Sequence, residues 1–363
     1  MKRFNPEMLI LAREARGQTQ SETARLLAIS QGLLSRIEAG ITEVSEELLQ
    51  RIVATLEYPP EFFYQTDQIY GHGSKCIYHR KRQSLTVSAL RQLFAEINII
   101  RMQVDRLLMG AEIETENKFY RMDIEEFHSP ENVAQIIRRY WGIQHGPIEN
   151  LVLAIESAGG IVIPCNFGTP KLDALSQWPQ AGFPLFFVNS ESPTDRMRFT
   201  LAHELGHVIM HQIPSNDMES EADRFAAEFL MPARDIRSDL RPLSLSRLVV
   251  LKQYWRVSMA ALIQRAGNLR VISERQRQSL WTQMSKEGYR KEEPLPIDPE
   301  RPTVLRDILD VYRHSHGFTL VEMSKLVASY EREFQARYFP APSRATVAPL
   351  RVVNGQARER LIG

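Results

Sequence analysis

The feature that most constrains this chain is the pentapeptide His203-Glu204-Leu205-Gly206-His207. Two histidines four residues apart stand one turn apart on the same face of a helix. Both imidazoles then reach a single cation. The intervening glutamate sits beside that cation, where it can take a proton from a water the cation polarises. Phe199, Leu201, Ala202, Leu205, Val208 and Ile209 make the flanks apolar, so a buried helix over about 196–211 is expected. The competing reading is two structural histidines on an amphipathic helix. A purely structural helix has no chemical need for Glu204.

A catalytic zinc takes three protein ligands and keeps one position open. His211 is a poor third ligand, because a continuous helix raises it ~12 Å above His203. The next expected helix, Glu219 to Leu230, marks its buried face with Ala222, Phe225, Ala226, Phe229 and Leu230. Glu219 continues that face, whereas Glu221 is rotated from it by roughly 200°. Glu219 is therefore the expected ligand and Glu221 the alternative. Asp223, one turn beyond Glu219, is placed to hold a ligand histidine by its second ring nitrogen. Glu228 is read as a solvated face residue. Tyr254 and His211 are candidate oxyanion stabilisers.

Residues 1–66 read as short helices with tight turns. Met8, Leu9, Leu11 and Ala12 have helical spacing, and Thr19-Gln20-Ser21-Glu22 is a capping-box pattern. Ser30 caps a helix from Gln31 that Gly40 ends, and Ser45 to Glu57 is a further amphipathic helix stopped by Tyr58-Pro59-Pro60. If the third helix enters a major groove, Gln31 suits an adenine edge and Arg36 a guanine or a phosphate. Gln20 and Ser30, at helix N-termini, suit phosphates. Gly32 leaves one position of that helix without a side chain. The competing reading is a bundle that binds protein. Charge gives it some weight, since residues 1–66 hold seven Lys/Arg against nine Asp/Glu. Residues 71–106 hold seven Lys/Arg against two acids. That stretch is a candidate source of the missing phosphate attraction, or simply a solvated helix face.

Val87 to about Leu108 is a long helix with a stripe that includes Leu90, Leu93, Ile97 and Val104, read as a connector or a dimerisation helix. Ser129-Pro130 starts a helix and a new domain near 128. Gly159–Pro164 and Leu185–Asn189 are short β-rich runs. Helices are expected over 244–254, 259–266 and 274–287, then a Pro- and charge-rich linker at 290–303, then helices from Val304 to about 337. The last twenty residues read as a flexible tail that could occupy the cleft. No internal repeat is visible. Cys76 and Cys165 cannot make a disulfide framework, which suits a reducing cytoplasm. No run approaches the ~18–20 apolar residues of a membrane span, and the start lacks a signal-peptide core.

Two stretches resemble known families. Arg198 to His207 followed by Glu219 to Pro232 is similar to the ImmA/IrrE metallopeptidases, a likeness that extends over about 128–270. Arg16 to Leu27 and Ser30 to Gly40 resemble the Xre-type, lambda-repressor-like helix-turn-helix, over about 9–57. The first resemblance implies zinc-dependent, gluzincin-like proteases that cleave transcriptional repressors in stress responses, mobile elements or phage defence. It assigns His203, His207 and Glu219 as ligands and Glu204 as general acid/base. It also makes the strand before the metal helix the edge on which substrate backbone pairs.

The expected architecture is α+β, mostly α. It comprises a helix-turn-helix bundle (1–66), a basic segment and long helix (67–127), a peptidase domain with a small sheet (128–270), a C-terminal helical region (271–340) and a tail (341–363). The expected function is a cytoplasmic, homodimeric regulator on a double-stranded DNA operator whose zinc endopeptidase cleaves itself or a partner repressor. The alternative is a non-catalytic regulator or antitoxin-like protein that uses the peptidase fold as a sensor or partner-binding surface.

Overall fold

The computed structural model describes residues 3–70, 86–169, 172–179, 182–212, 215–339 and 352–353. In chain order the elements begin with α1 (Pro6–Ala15), α2 (Gln20–Leu26), α3 (Gln31–Glu38), α4 (Glu46–Leu56) and α5 (Val87–Leu108). Then come β1 (Glu112–Ile113), α6 (Ile124–Phe127), α7 (Pro130–Tyr140), α8 (Leu151–Ser157), β2 (Ile161–Cys165), β3 (Ala174–Gln177) and β4 (Leu185–Asn189). The metal motif lies on α9 (Thr194–Met210), followed by α10 (Met218–Leu230), α11 (Ala233–Ile236), α12 (Leu245–Trp255), α13 (Met259–Asn268) and α14 (Glu274–Lys286). Last are α15 (Val304–His314), α16 (Leu320–Leu326), α17 (Glu331–Tyr338) and β5 (Val352–Val353). Among the described residues the chain is mostly helical, as expected, with a three-stranded mixed sheet and a separate two-stranded pairing.

The chain folds as two compact units, and the second, residues 115–304, is inserted in sequence between the parts of the first. In the first unit the expected caps at Thr19 and Ser30 form, and Asn5 and Ser45 add two more. Asn5, Thr19, Ser30 and Ser45 each accept a backbone N–H of the helix they precede, and Thr19 and Glu22 close a capping box. Met8, Leu9, Leu34, Ile37, Ile52, Phe62 and Phe63 make the core of α1–α4. Ala95, Ile99 and Met102 of α5 belong to the same core. Leu93, Ile97, Asn98, Arg101 and Val104 are also buried, so α5 is covered over most of its circumference within this chain. Its apolar stripe, read as that of a connector or dimerisation helix, is therefore buried within this chain.

The second unit begins earlier than 128. Met122 donates its N–H to Ile209 O (2.9 Å), and Phe119 packs edge-on against Trp141. Its sheet has the order β2-β4-β3, with β2 parallel and β3 antiparallel to β4. The strand before the metal helix, β4, is therefore paired on both sides and cannot accept a substrate strand. Among the described residues β3 is the outer strand packed beside α9. The core joins Ile137, Ile155, Phe186, Leu201, Phe225, Phe229 and Trp255 to Leu280 and Met284 of α14. The expected 271–340 region thus divides between the two units.

The stretch 290–303 is no free linker either. Glu293 pairs with Lys252 and accepts from the N–H groups of Met259 and Ala260. Glu300 pairs with Arg198 of the metal helix and caps α8 through Leu151 N (2.8 Å) and Val152 N (3.0 Å). Periodicity cannot register such a strap, because polar side chains fasten it. Of the tail, β5 pairs antiparallel with β1. The rest of 341–363, Cys76 and residues 71–85 of the basic stretch lie outside the described residues.

Candidate functional site

On α9 the i, i+4 spacing brings His203 and His207 together, with their Nε2 atoms 2.9 Å apart. Residue 206 between them is glycine for a packing reason. A Cβ there would meet the Phe225 ring at 3.0 Å, so the missing side chain lets α10 lie close against α9. That approach places the Glu219 carboxylate 3.6 Å from His203 Nε2 and 3.2 Å from His207 Nε2. One ligand atom from each of His203, His207 and Glu219 falls within 4.8 Å of the others, so the three could hold a metal ion. Glu219 Oε1 is buried yet makes no well-directed hydrogen bond. Three electron-pair donors that converge with such an orphan among them have the chemistry of co-ligands, and imidazole with carboxylate suits zinc.

Each histidine is also held from behind. His203 Nδ1 lies 2.9 Å from Asp223 Oδ1, the support expected from the sequence. His207 Nδ1 lies 2.9 Å from His211 Nδ1, whose Nε2 lies 3.1 Å from Glu221 Oε2. Glu221 and His211, weighed as ligands, therefore back His207 and stand outside the cluster. His211 is pushed down to about 3 by burial and by the neighbouring His207 and His203. Glu228 is buried, not solvated. It pairs with Arg265 and accepts from Gln135 and from Ala233 N. Tyr254 is largely exposed on α12.

Glu204 is buried beside its histidine. Its Oε2 accepts from Ser176 Oγ at 2.8 Å. Ser176 lies on β3, and sequence reasoning missed it because its position depends on strand pairing with β4. A cavity of about 1100 Å³ lies along α9 and α10, lined by Phe199, Thr200, Asp223, Arg224, Arg265 and Trp281 among others. It touches the cluster only through Asp223, so the metal motif, not the cavity, marks the chemistry.

Burial draws the His203 imidazole down, but Asp223 and Glu219 outweigh it and raise it to about 9. Its folded value thus exceeds the ordinary 6.5. In the metal-free chain the protonated ring stabilises the fold below about 6.5 and loses that contribution as pH rises through about 9. A metal needs the neutral ring, so binding has the opposite trend. Titration with zinc at pH 7, in buffers of different ionisation enthalpy, should show release of about one proton. Binding without proton release would count against His203 as a ligand.

In the first unit Ser30, Gln31 and Arg36 are exposed on and beside α3. Gln31 Nε2 donates to Gln20 Oε1 (2.9 Å), and Gln20 Nε2 donates to Glu38 (2.6 Å). Gln20 is thus half-buried and fixed, and it orients Gln31. The Gly32 position faces open space.

Two family models match the chain. One, the IrrE N-terminal-like domain of the M78 peptidases, covers residues 155–266, and the other, a helix-turn-helix, covers residues 9–63. No curated protein and no solved structure matches it. No described helix is long and apolar enough to cross a membrane. The chain is a fusion of an Xre-like helix-turn-helix domain with an ImmA/IrrE-like M78 peptidase domain.

Proposed function

We propose that this protein is a homodimeric, cytoplasmic transcription regulator that binds operator DNA and carries a zinc endopeptidase, which cuts the chain itself or a partner repressor upon a stress or phage signal. The observation that carries the catalytic half is the pairing of Glu204 with the cluster. A buried carboxylate fixed by Ser176 stands beside two histidines, each oriented by its own partner. A binding scaffold needs none of these restraints on Glu204.

His203, His207 and Glu219 would hold zinc. When bound, the ion supplies Lewis acidity and a water activated near neutral pH. Glu204 holds and moves the proton, first taking it from the attacking water and then giving it to the leaving amine. Ser176 orients the carboxylate, and Asp223 and His211 orient the imidazoles. The outer strand β3 offers backbone groups to an extended peptide. The test is metal content and cleavage together. The purified chain should hold one zinc and cut itself or a repressor encoded beside it. The His203→Ala form should hold none and cut nothing. Cutting that survives loss of the metal would reject the reading.

For the DNA half, Arg36 reaches outward from α3, and Ser30 and Gln31 stand at its N-terminus. Arg36→Ala should weaken operator binding by ~1–3 kcal/mol. An unchanged mobility shift would remove Arg36 from the contact set.

A further inference from the structure

The C-terminal helices repeat the N-terminal ones without a gap, each residue having its counterpart three hundred positions on. Gly17 and Gly317 turn with φ of 68° and 70°, and Ala28 and Ala328 with φ of 50° and 49°. Thr19 with Glu22, and Thr319 with Glu322, close matching capping boxes. Helix α2 spans Gln20–Leu26 and α16 spans Leu320–Leu326; α3 begins at Gln31 and α17 at Glu331. The turn bonds agree as well. Ile29 N donates to Ala24 O at 3.0 Å, and Ser329 N to Ser324 O at 2.9 Å. Leu34 and Phe334 are the buried anchors of the two second helices. Non-glycine residues with left-handed backbone at matched positions, each followed by the same bond, are hard to obtain except by the same motif. This overturns the expectation that the chain has no internal repeat.

The frame is retained, but the contact set is not. Gln20, Ser30, Gln31 and Arg36 correspond to Leu320, Tyr330, Glu331 and Ala336. A leucine and an alanine cannot bond phosphate, and Glu331 repels it. Around Tyr330, burial together with Glu61, Glu333 and Glu57 raises the phenol, so a phosphate at that helix start would meet acids. The flank of α17 is fastened to the first motif and its supporting helix. Glu333 pairs with Arg16 at 2.8 Å. Arg16 in turn donates to Leu56 O and Glu57 O at the end of α4 and lies over the Tyr58 ring. Arg337 and Tyr338 both donate to Gln103 of α5, and Ala328 joins the core of the first motif.

We infer that residues 304–339 are a second helix-turn-helix that reads no DNA and instead braces the first, holding the joint between α1 and α4 through Arg16 and the supporting helix α5 through Gln103. This role builds on the DNA reading of α1–α4 but is tested apart from it. In the full-length chain, Arg332→Ala with Gln335→Ala alters the exposed face that corresponds to a reading face. Glu333→Ala with Arg337→Ala cuts the polar ties of the brace. A random-sequence duplex pool enriched by each protein reports what is read. Amide exchange at Gly17, Leu56 and Glu57 reports the brace.

The first pair should leave the enriched sequence, its affinity and the exchange as in the wild type, whereas Arg36→Ala costs about tenfold in affinity. The second pair should raise exchange at those amides by about threefold or more. Loss of part of the enriched sequence in the first pair would make the module a second reader and overturn the inference. Unchanged exchange in the second pair would overturn it equally. A wild type that enriches no sequence would reject the DNA reading of α1–α4, while the exchange comparison still decides the brace.

Discussion

Glu204→Gln is expected to lower the rate of peptide cleavage by about 10²–10⁴-fold while zinc content stays that of the wild type. The substitution keeps size and shape, and the amide oxygen still accepts from Ser176 Oγ, so the side chain has no reason to move. The three candidate ligands, with Asp223 and His211 behind them, are untouched. What disappears is the ability to take a proton and return it. A loss of cleavage with retained metal therefore separates chemistry from folding and from metal binding. The comparison should be made on the chain itself and on neighbouring repressors, with zinc present. Identical products at equal rates would show that Glu204 takes no part and that the fold serves another purpose.

Glu300→Ala should lower the unfolding free energy of the second unit by ~3–5 kcal/mol. Glu300 joins the metal helix to α8, since its two oxygens serve Arg198 and two N–H groups of the first turn of α8. The Arg198 side chain is fully buried, and its other ties include Ile148 O (2.6 Å). Burial, with Arg256 adding to it, already depresses Arg198 to about 9. Removing the carboxylate leaves that guanidinium buried without its counter-charge and exposes the orphan donors of α8. Chemical denaturation of the full chain should show an earlier midpoint for the phase that belongs to the second unit. Replacing both partners, as Arg198→Met with Glu300→Leu, should recover much of the loss, because no charge is then stranded. An unchanged midpoint in Glu300→Ala would mean that water reaches Arg198 and that the strap adds little.

Much of the site was legible because local rules write it. The i, i+4 histidines, the capping boxes and the apolar face that leads back to Glu219 each depend on residues within a turn or two. The choice between Glu219 and Glu221 follows helical phase, and the geometry has Glu219 beside the histidines and Glu221 behind His211. The misreadings share one cause, which is distance along the chain. Glu228 looked solvated because its partner Arg265 is on another helix. The 290–303 stretch looked free because Glu293 and Glu300 act on Lys252 and on α8. The repeat escaped notice because only turn and cap positions carry it, while the exposed contact positions differ.

By itself the sequence determined the helices, their caps and turns, the candidate metal-binding pentapeptide with its expected third ligand, and the two family likenesses. Those are short-range matters of periodicity, capping and spacing. Tertiary structure alone decided that β4 is the central strand and β3 an outer one among the described residues, that Ser176 holds Glu204, that α5 is covered within its own chain, and that the last three helices stand with the first four. Each of these depends on which distant segments share buried surface or close a strand pair. Such pairings are set by the balance of the whole core, and no local pattern encodes them.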